Sequence, residues 1–448
     1  MPSPGARRLP RWVLVAAALL VLVLGGVAAF VLLHSPGNVS NPNVEFTGPT
    51  STTPAKPAVL FAWPRYGYDA ARTRYLATGT TLDPPFHVGW KYEDYALLEF
   101  PPVIYGHTLY LVDDDGSAKA LDAQTGRKLW ETKVGTLAAA SPALGIPQGL
   151  LFVPVLSTNR RAARKTKPGN GRLLALAIKT GRVVWSRVIP PGTESSPLAW
   201  GNAVYFGDQA GVVYSLRATD GHVNWTFHAS GAVKGGPALA DGRLYFGDYS
   251  GRAYALNPQT GHKLWAVNTN GADFGFGSGN FYSTPAVAFG RVYMGNTDGR
   301  VYSFAARTGA LAWATTTGAY VYASPAVADI PGLGPTVYEG SYDGRFYAFD
   351  ARSGAIRWRH AAGGRISGSA TILGNIVYYS DLGTKTTVGL DARTGRRVFF
   401  FGDGAFNPIV ADQSTVFLVG YTKLYEMIPA RAAKPSSPHH VKTRKTRS

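Results

Sequence analysis

Short runs of alternating apolar and polar residues, each closed by a glycine-bearing turn, recur eight times between Glu99 and Ile428. One unit runs Pro237–Ala240, Arg243–Gly247, Ala253–Leu256 and Lys263–Val267, short apolar and aromatic runs placed by period-two alternation. That alternation predicts strands half-buried on a pleated surface. Between them lie Asp241-Gly242, Ser250-Gly251 and Thr260-Gly261, where glycine supplies the positive φ of tight hairpins. A unit of about forty residues and four short strands is one blade of a propeller.

A tryptophan after each Thr-Gly-like turn marks the outer strand: Trp130, Trp185, Trp225, Trp265, Trp313 and Trp358, with Phe399 in the seventh place. The eighth unit, Thr415–Val419 and Lys423–Met427, stops before its own outer strand. Val88–Tyr92 carries a spare tryptophan, Trp90, at the other end of the pattern. Pairing the two ends removes both exposed edges. The fold expected is therefore all-β, an eight-bladed β-propeller of four-stranded antiparallel blades closed by an N-terminal strand and preceded by one transmembrane helix.

Four units place Ala first, Gly seventh and Trp eleventh, as in Ala120, Gly126 and Trp130, or Ala255, Gly261 and Trp265. Three others begin with Ser215, Ser303 or Gly389. This stretch resembles the docking motif of the PQQ-like, quinoprotein-type propeller family, and Trp63 to Arg74 looks like that family's opening segment. The resemblance covers roughly Ala62 to Met427 and implies that each tryptophan packs between neighbouring blades. It also implies two kinds of relative. Quinoprotein alcohol dehydrogenases hold pyrroloquinoline quinone (PQQ) and calcium or a lanthanide in the funnel, through Glu, Asn and Asp ligands with a further Asp as base. The propeller lipoprotein of the outer-membrane barrel assembly machinery binds partner proteins. This chain is nearer the second. It lacks the adjacent cysteines, has plain turns such as Gly207–Gly211 in place of the ligand segment, and sets Glu99 and Glu194 two blades apart.

With 448 residues and 45% hydrophobic content, the repeat merges most of the chain into one body. The absence of Cys excludes disulfides, thiol catalysis and cysteine zinc sites. A formal charge of +18 is concentrated in Arg7, Arg8 and Arg11, in residues 160–172 and in residues 431–448, leaving the propeller nearly neutral. Nucleic acid is thus not expected as a partner. Val13 to Leu33 is uncharged, mostly apolar and long enough to span a bilayer. The arginines before it put the N-terminus in the cytoplasm and the propeller outside a bacterial cell membrane; Gly26 to Ala28 leaves a cleavage site open. The expected organisation is a cytoplasmic basic segment 1–12, transmembrane helix 13–33, flexible linker 34–60, propeller 61–430 and disordered basic tail 431–448.

Strand alternation puts the loops leading into each blade, and those joining second to third strands, on one face. Both large inserts, Ser157–Arg172 and Asn268–Tyr282, fall there, marking it as the binding side. The first is basic, through Arg160, Arg161, Arg164, Lys165, Lys167 and Arg172. Counting three places back from the proline-like position of each lead-in loop gives a rim of Glu99, Ala139, Glu194, Lys234, Tyr282, Tyr322, Ile366 and Ala405, with Tyr320 and Arg365 beside it. Carboxylates, cations and aromatics together suit a peptide, glycan or polar small molecule. Asp113–Gly116 reads as turn chemistry and not as a calcium loop, since Asp248, Asp298 and Asp343 recur near the same turn. No Ser-His-Asp set is assignable among nine scattered His. The expected function is a membrane-anchored, non-catalytic scaffold or sensor for an envelope protein, peptide or glycan, with no cofactor. The alternative is a PQQ-dependent dehydrogenase using PQQ and calcium.

Overall fold

The computed structural model describes residues 37–48, 62–78, 81–158, 170–269 and 279–430, with positions 13, 19–23 and 25. Eight antiparallel four-stranded sheets follow one another in chain order from Val103. A representative blade, the fourth, comprises Ala238–Ala240, Arg243–Gly247, Arg252–Leu256 and Lys263–Asn268, close to the runs expected from alternation. The eighth takes Ile409–Ala411, Val416–Val419 and Lys423–Pro429 from the C-terminal end and Phe86–Glu93 from the N-terminal end. The ring closes as the spare tryptophan indicated. No helix among the described residues is long and apolar enough to cross a membrane. The expected span 13–33 lies mostly outside the described residues, as does the tail 431–448.

Each blade docks on the next through its tryptophan. The Trp225 indole N–H donates to the Pro258 carbonyl at 2.9 Å, and Trp90, Trp130, Trp185, Trp265, Trp313 and Trp358 make the same bond into the following blade at 2.9–3.1 Å. The turn glycine opposite serves two ends. Gly261 has φ +72°, and a Cβ there would lie 2.6 Å from the Trp225 ring. Glycine is thus required both for the left-handed turn and as the seat of the neighbouring indole.

Two segments before the first blade are bound into the ring. Val39–Ser40, inside the linker span, adds a fifth strand to the outer edge of blade five. Residues 62–76 form a strap along the innermost strands: Ala62–Trp63 pairs with blade one and Tyr75–Leu76 with blade seven. Between them, the carbonyls of Pro64, Ala70, Ala71 and Thr73 accept backbone bonds from Leu144, Leu239, Val287 and Val327. Arg72, fully buried, donates to Pro237, Ser196 and Pro197 carbonyls at 3.0–3.1 Å and to Tyr66 O. Buried carbonyls that no strand reaches are satisfied in this way. The strap spans the axis and gives the funnel a floor.

Candidate functional site: a throat and vestibule on the propeller axis

The lead-in loops are held in a common register. In blades three to six the second strand carries a glycine at or next to its end, at Gly207, Gly247, Gly295 and Gly340, and an apolar residue from the next lead-in loop fills the notch. Those residues are Val233, Phe281, Val321 and Ile366, all buried. The residue after each points to the axis. This corrects two rim assignments: Ile366 and Ala405 are the buried anchors, 0% and 1% exposed, and Ser367 and Phe406 take the rim. Aligning Ser369 with proline caused the slip, because Ala370 holds that place; blade eight is one residue shorter there.

Glu99, Glu194, Lys234, Tyr282 and Tyr322 do come together, lining a cavity of about 50 Å³ with Tyr66, Phe100, Phe406 and Asn407. Lys234 Nζ lies 3.1 Å from Glu194 Oε1, which also accepts Gln209 Nε2 at 2.8 Å. The Tyr282 hydroxyl donates to Glu194 Oε2 at 3.2 Å. Lys234 Nζ sits 4.9 Å from the Tyr249 ring centre, a cation–π contact. Tyr66 rises from the strap as part of the floor, its hydroxyl 2.5 Å from Ser369 Oγ. Glu194 is thus fully engaged. Glu99 is different: burial pushes its carboxyl up to about 7, and the Glu194 charge adds to the rise. Asp114, beside it, is pushed up to about 7 by burial and then by Glu99, Asp113 and Asp115.

Adjoining this throat, a wider cavity of about 370 Å³ is lined by Ala319, Tyr320, Tyr322, Tyr342 and Arg365. Tyr322 belongs to both cavities. Its ring meets Tyr282 at 5.9 Å, Tyr320 at 5.9 Å and Tyr342 at 4.8 Å, and the Arg365 guanidinium lies 5.8 Å from the Tyr342 ring centre. Proline counting missed Tyr66, Phe100, Ser367, Phe406, Asn407 and Tyr342. The glycine notches were the signal that would have found Ser367; nothing local marks Tyr66, whose place depends on the strap.

Of the basic insert, Arg172 is described, its Nη1 donating to Ser186 Oγ at 3.2 Å; Arg160, Arg161, Arg164, Lys165 and Lys167 lie outside the described residues. Asp113 accepts the Ser117 amide and pairs with Lys119 Nζ at 2.5 Å, which also meets Asp94 at 2.6 Å. That carboxylate closes a turn and holds a buried ammonium. Among the described residues no group of three or more His, Asp or Glu is placed to hold a metal ion. The throat by itself does not fit a quinone with a hard cation: cofactor sites enclose about 300–1,000 Å³, the throat far less, and its Glu194 carboxylate is already engaged by Lys234, Gln209 and the Tyr282 hydroxyl.

The sequence profile of the family described as outer membrane protein assembly factor BamB matches residues 87–199, 169–333 and 323–404. The serine/threonine-protein kinase AfsK of Streptomyces griseus is 31% identical over 134 residues, which is 29% of this chain and only 15% of the kinase. BamB from Moraxella catarrhalis superposes with a TM-score of 0.61 at 15% identity, over 77% of this chain and 100% of that one. The quinohemoprotein alcohol dehydrogenase of Comamonas testosteroni does so at 0.65 and 14%, over 84% and 82%. At such identities the solved structures speak to fold alone.

Proposed function

We propose that this chain, which belongs to the family described as outer membrane protein assembly factor BamB, is a non-catalytic binding platform whose funnel face receives a partner protein or peptide. The observation that carries this reading is the throat under its tyrosine vestibule, built on inner strands and floored by the strap. Rigid aromatics around a few fixed polar groups favour recognition, since little side-chain freedom is lost on contact. The apolar run 13–33 and the arginines before it support attachment to the cell membrane with the propeller outside, and the basic segments favour anionic surroundings there.

The test is capture of partners from envelope extract by the full chain, compared with Tyr322→Ala and Tyr342→Ala. Loss of a reproducible partner in both variants, with unchanged melting, is the expected result. An unchanged partner set would overturn the funnel as the binding surface. Uptake of quinone with calcium, followed by dye reduction with an alcohol, would overturn the non-catalytic reading.

A further inference from the structure

The rim charges are not served equally. Glu194 has Lys234, Gln209 and the Tyr282 hydroxyl. Glu99 lines the same cavity and receives no bond to its carboxylate from any described residue; Asn407 Nδ2 donates instead to the Glu99 backbone carbonyl, at 2.9 Å. Beneath the floor, Arg72 is spent on carbonyls of the inner strands, and Arg74 bonds the Arg72 and Pro325 carbonyls through Nη1 while its guanidinium lies over the Tyr66 ring; neither bonds the Glu99 carboxylate. Asp114, close enough to feel Glu99, likewise receives no side-chain bond from any described residue. Two half-buried carboxylates therefore face each other's field beside Phe100 and the tyrosine wall. Such an arrangement is costly when empty, because burial without a counter-charge is unfavourable.

We propose that the throat is an acceptor for a slender cationic head, the guanidinium or ammonium at the end of an arginine or lysine side chain of the partner, with Glu99 as its counter-ion and Tyr282 and Tyr322 as its walls. This rests on the platform reading and names the chemistry of its deepest contact. Chemistry and size together select the ligand class. The throat of about 50 Å³, lined by carboxylates and aromatic rings, suits a small cationic head, and the adjoining cavity of about 370 Å³ that shares Tyr322 has room for the stem and neighbouring residues. Aromatic faces favour a desolvated cation, and carboxylate bonds to guanidinium are charge-assisted. The charged and titratable groups facing Glu99 are Glu194 with its partner Lys234, Asp114 flanked by Asp113 and Asp115, and Tyr282. A cation must draw Glu99 and Asp114 into their ionised forms, so binding strengthens as pH rises.

The full chain is titrated calorimetrically with an acetylated tripeptide amide centred on arginine, its citrulline counterpart, agmatine and calcium chloride. The arginine peptide is expected to bind at least about tenfold more tightly than the citrulline peptide, as expected for a lost charged hydrogen bond. Its affinity should fall about tenfold between pH 8 and pH 5.5, and Glu99→Gln should cost about as much. Asp114→Asn supplies a second variant if Glu99→Gln fails to fold. Tighter binding of the peptide than of agmatine assigns the cation to a partner's side chain, and equal binding assigns it to a free amine. Equal affinity for citrulline, indifference to Glu99→Gln, or displacement of the arginine peptide by calcium would overturn the proposal. The two readings fail separately: if Glu99→Gln changes nothing while Tyr322→Ala still abolishes partner capture, the platform stands and the cation site falls.

Discussion

Glu339 is fully buried on the second strand of blade six, with Oε2 unpartnered and Oε1 accepting only its neighbour's amide, from Gly340, at 3.2 Å. Burial pushes its carboxyl up to about 8, against the opposing pull of Arg74. Between roughly pH 4.5 and pH 8 the folded chain therefore holds a proton that the unfolded chain has released. Stability must fall as pH rises through that window, with Glu99 and Asp114 adding to the slope below about pH 7. Glu339→Gln should flatten the slope and raise the melting temperature at pH 8.5, read by calorimetry across the range. Gly261 makes a second test at this scale. Alanine there must adopt a left-handed conformation and meet the Trp225 ring, so Gly261→Ala should lose about 2–4 kcal/mol by denaturant unfolding. The glycine's turn role was legible in the sequence; its role as a seat for the indole was not, because that contact joins two blades.

In blades three to six, a carboxylate at the turn between second and third strands binds turn amides, and a tyrosine on the third strand caps it, the pairs in blades five and six being Asp298 with Tyr302 and Asp343 with Tyr347. Tyr214 donates to Asp208 at 3.0 Å and Tyr254 to Asp248 at 2.8 Å. Blade one substitutes Lys119 for the tyrosine and recruits Asp94 as a second acid. Lys119→Met leaves two buried carboxylates uncompensated, and a loss of about 3–5 kcal/mol is expected in chemical unfolding. The missing tryptophan of blade seven has an equally local cause. Its neighbour, blade eight, draws its third and fourth strands from opposite chain ends, so no turn glycine or carbonyl awaits an indole. Phe399 packs edge-on against Phe86 instead, at 5.4 Å between ring centres. Strand order and the outer-strand marker could be read from alternation and spacing. The strap could not, because Ala62–Leu76 pairs with strands 40 to nearly 300 residues away and carries no alternation of its own.

For the molecule as a whole, closure depends on Phe86–Glu93 completing the last blade, with Trp90 bonding Ala123 O of blade one at 3.0 Å. Trp90→Ala removes both the packing and the bond at the one joint where the chain is not continuous. It should lower the melting temperature more than Trp185→Ala and increase association through the loosened edge, seen by light scattering. Glu99, Glu194, Lys234, Tyr282 and Tyr322 could be placed on one rim from the sequence because the Ser-Pro pattern tracks it. Ser367 and Phe406 were displaced by one residue where the lead-in loops change length, and Tyr66 depended on a floor from outside the repeat, which only the fold brings to the axis.

The proposed reception of partners on the funnel face is open to a direct test. Photo-crosslinking in living cells tests it most directly, with benzoyl-phenylalanine placed at Tyr322 in the vestibule or at Asn202, an exposed turn on the opposite face. A discrete crosslinked partner is expected from position 322 and none from position 202. Crosslinks of equal yield from both positions, or a partner captured from position 202 alone, would contradict it.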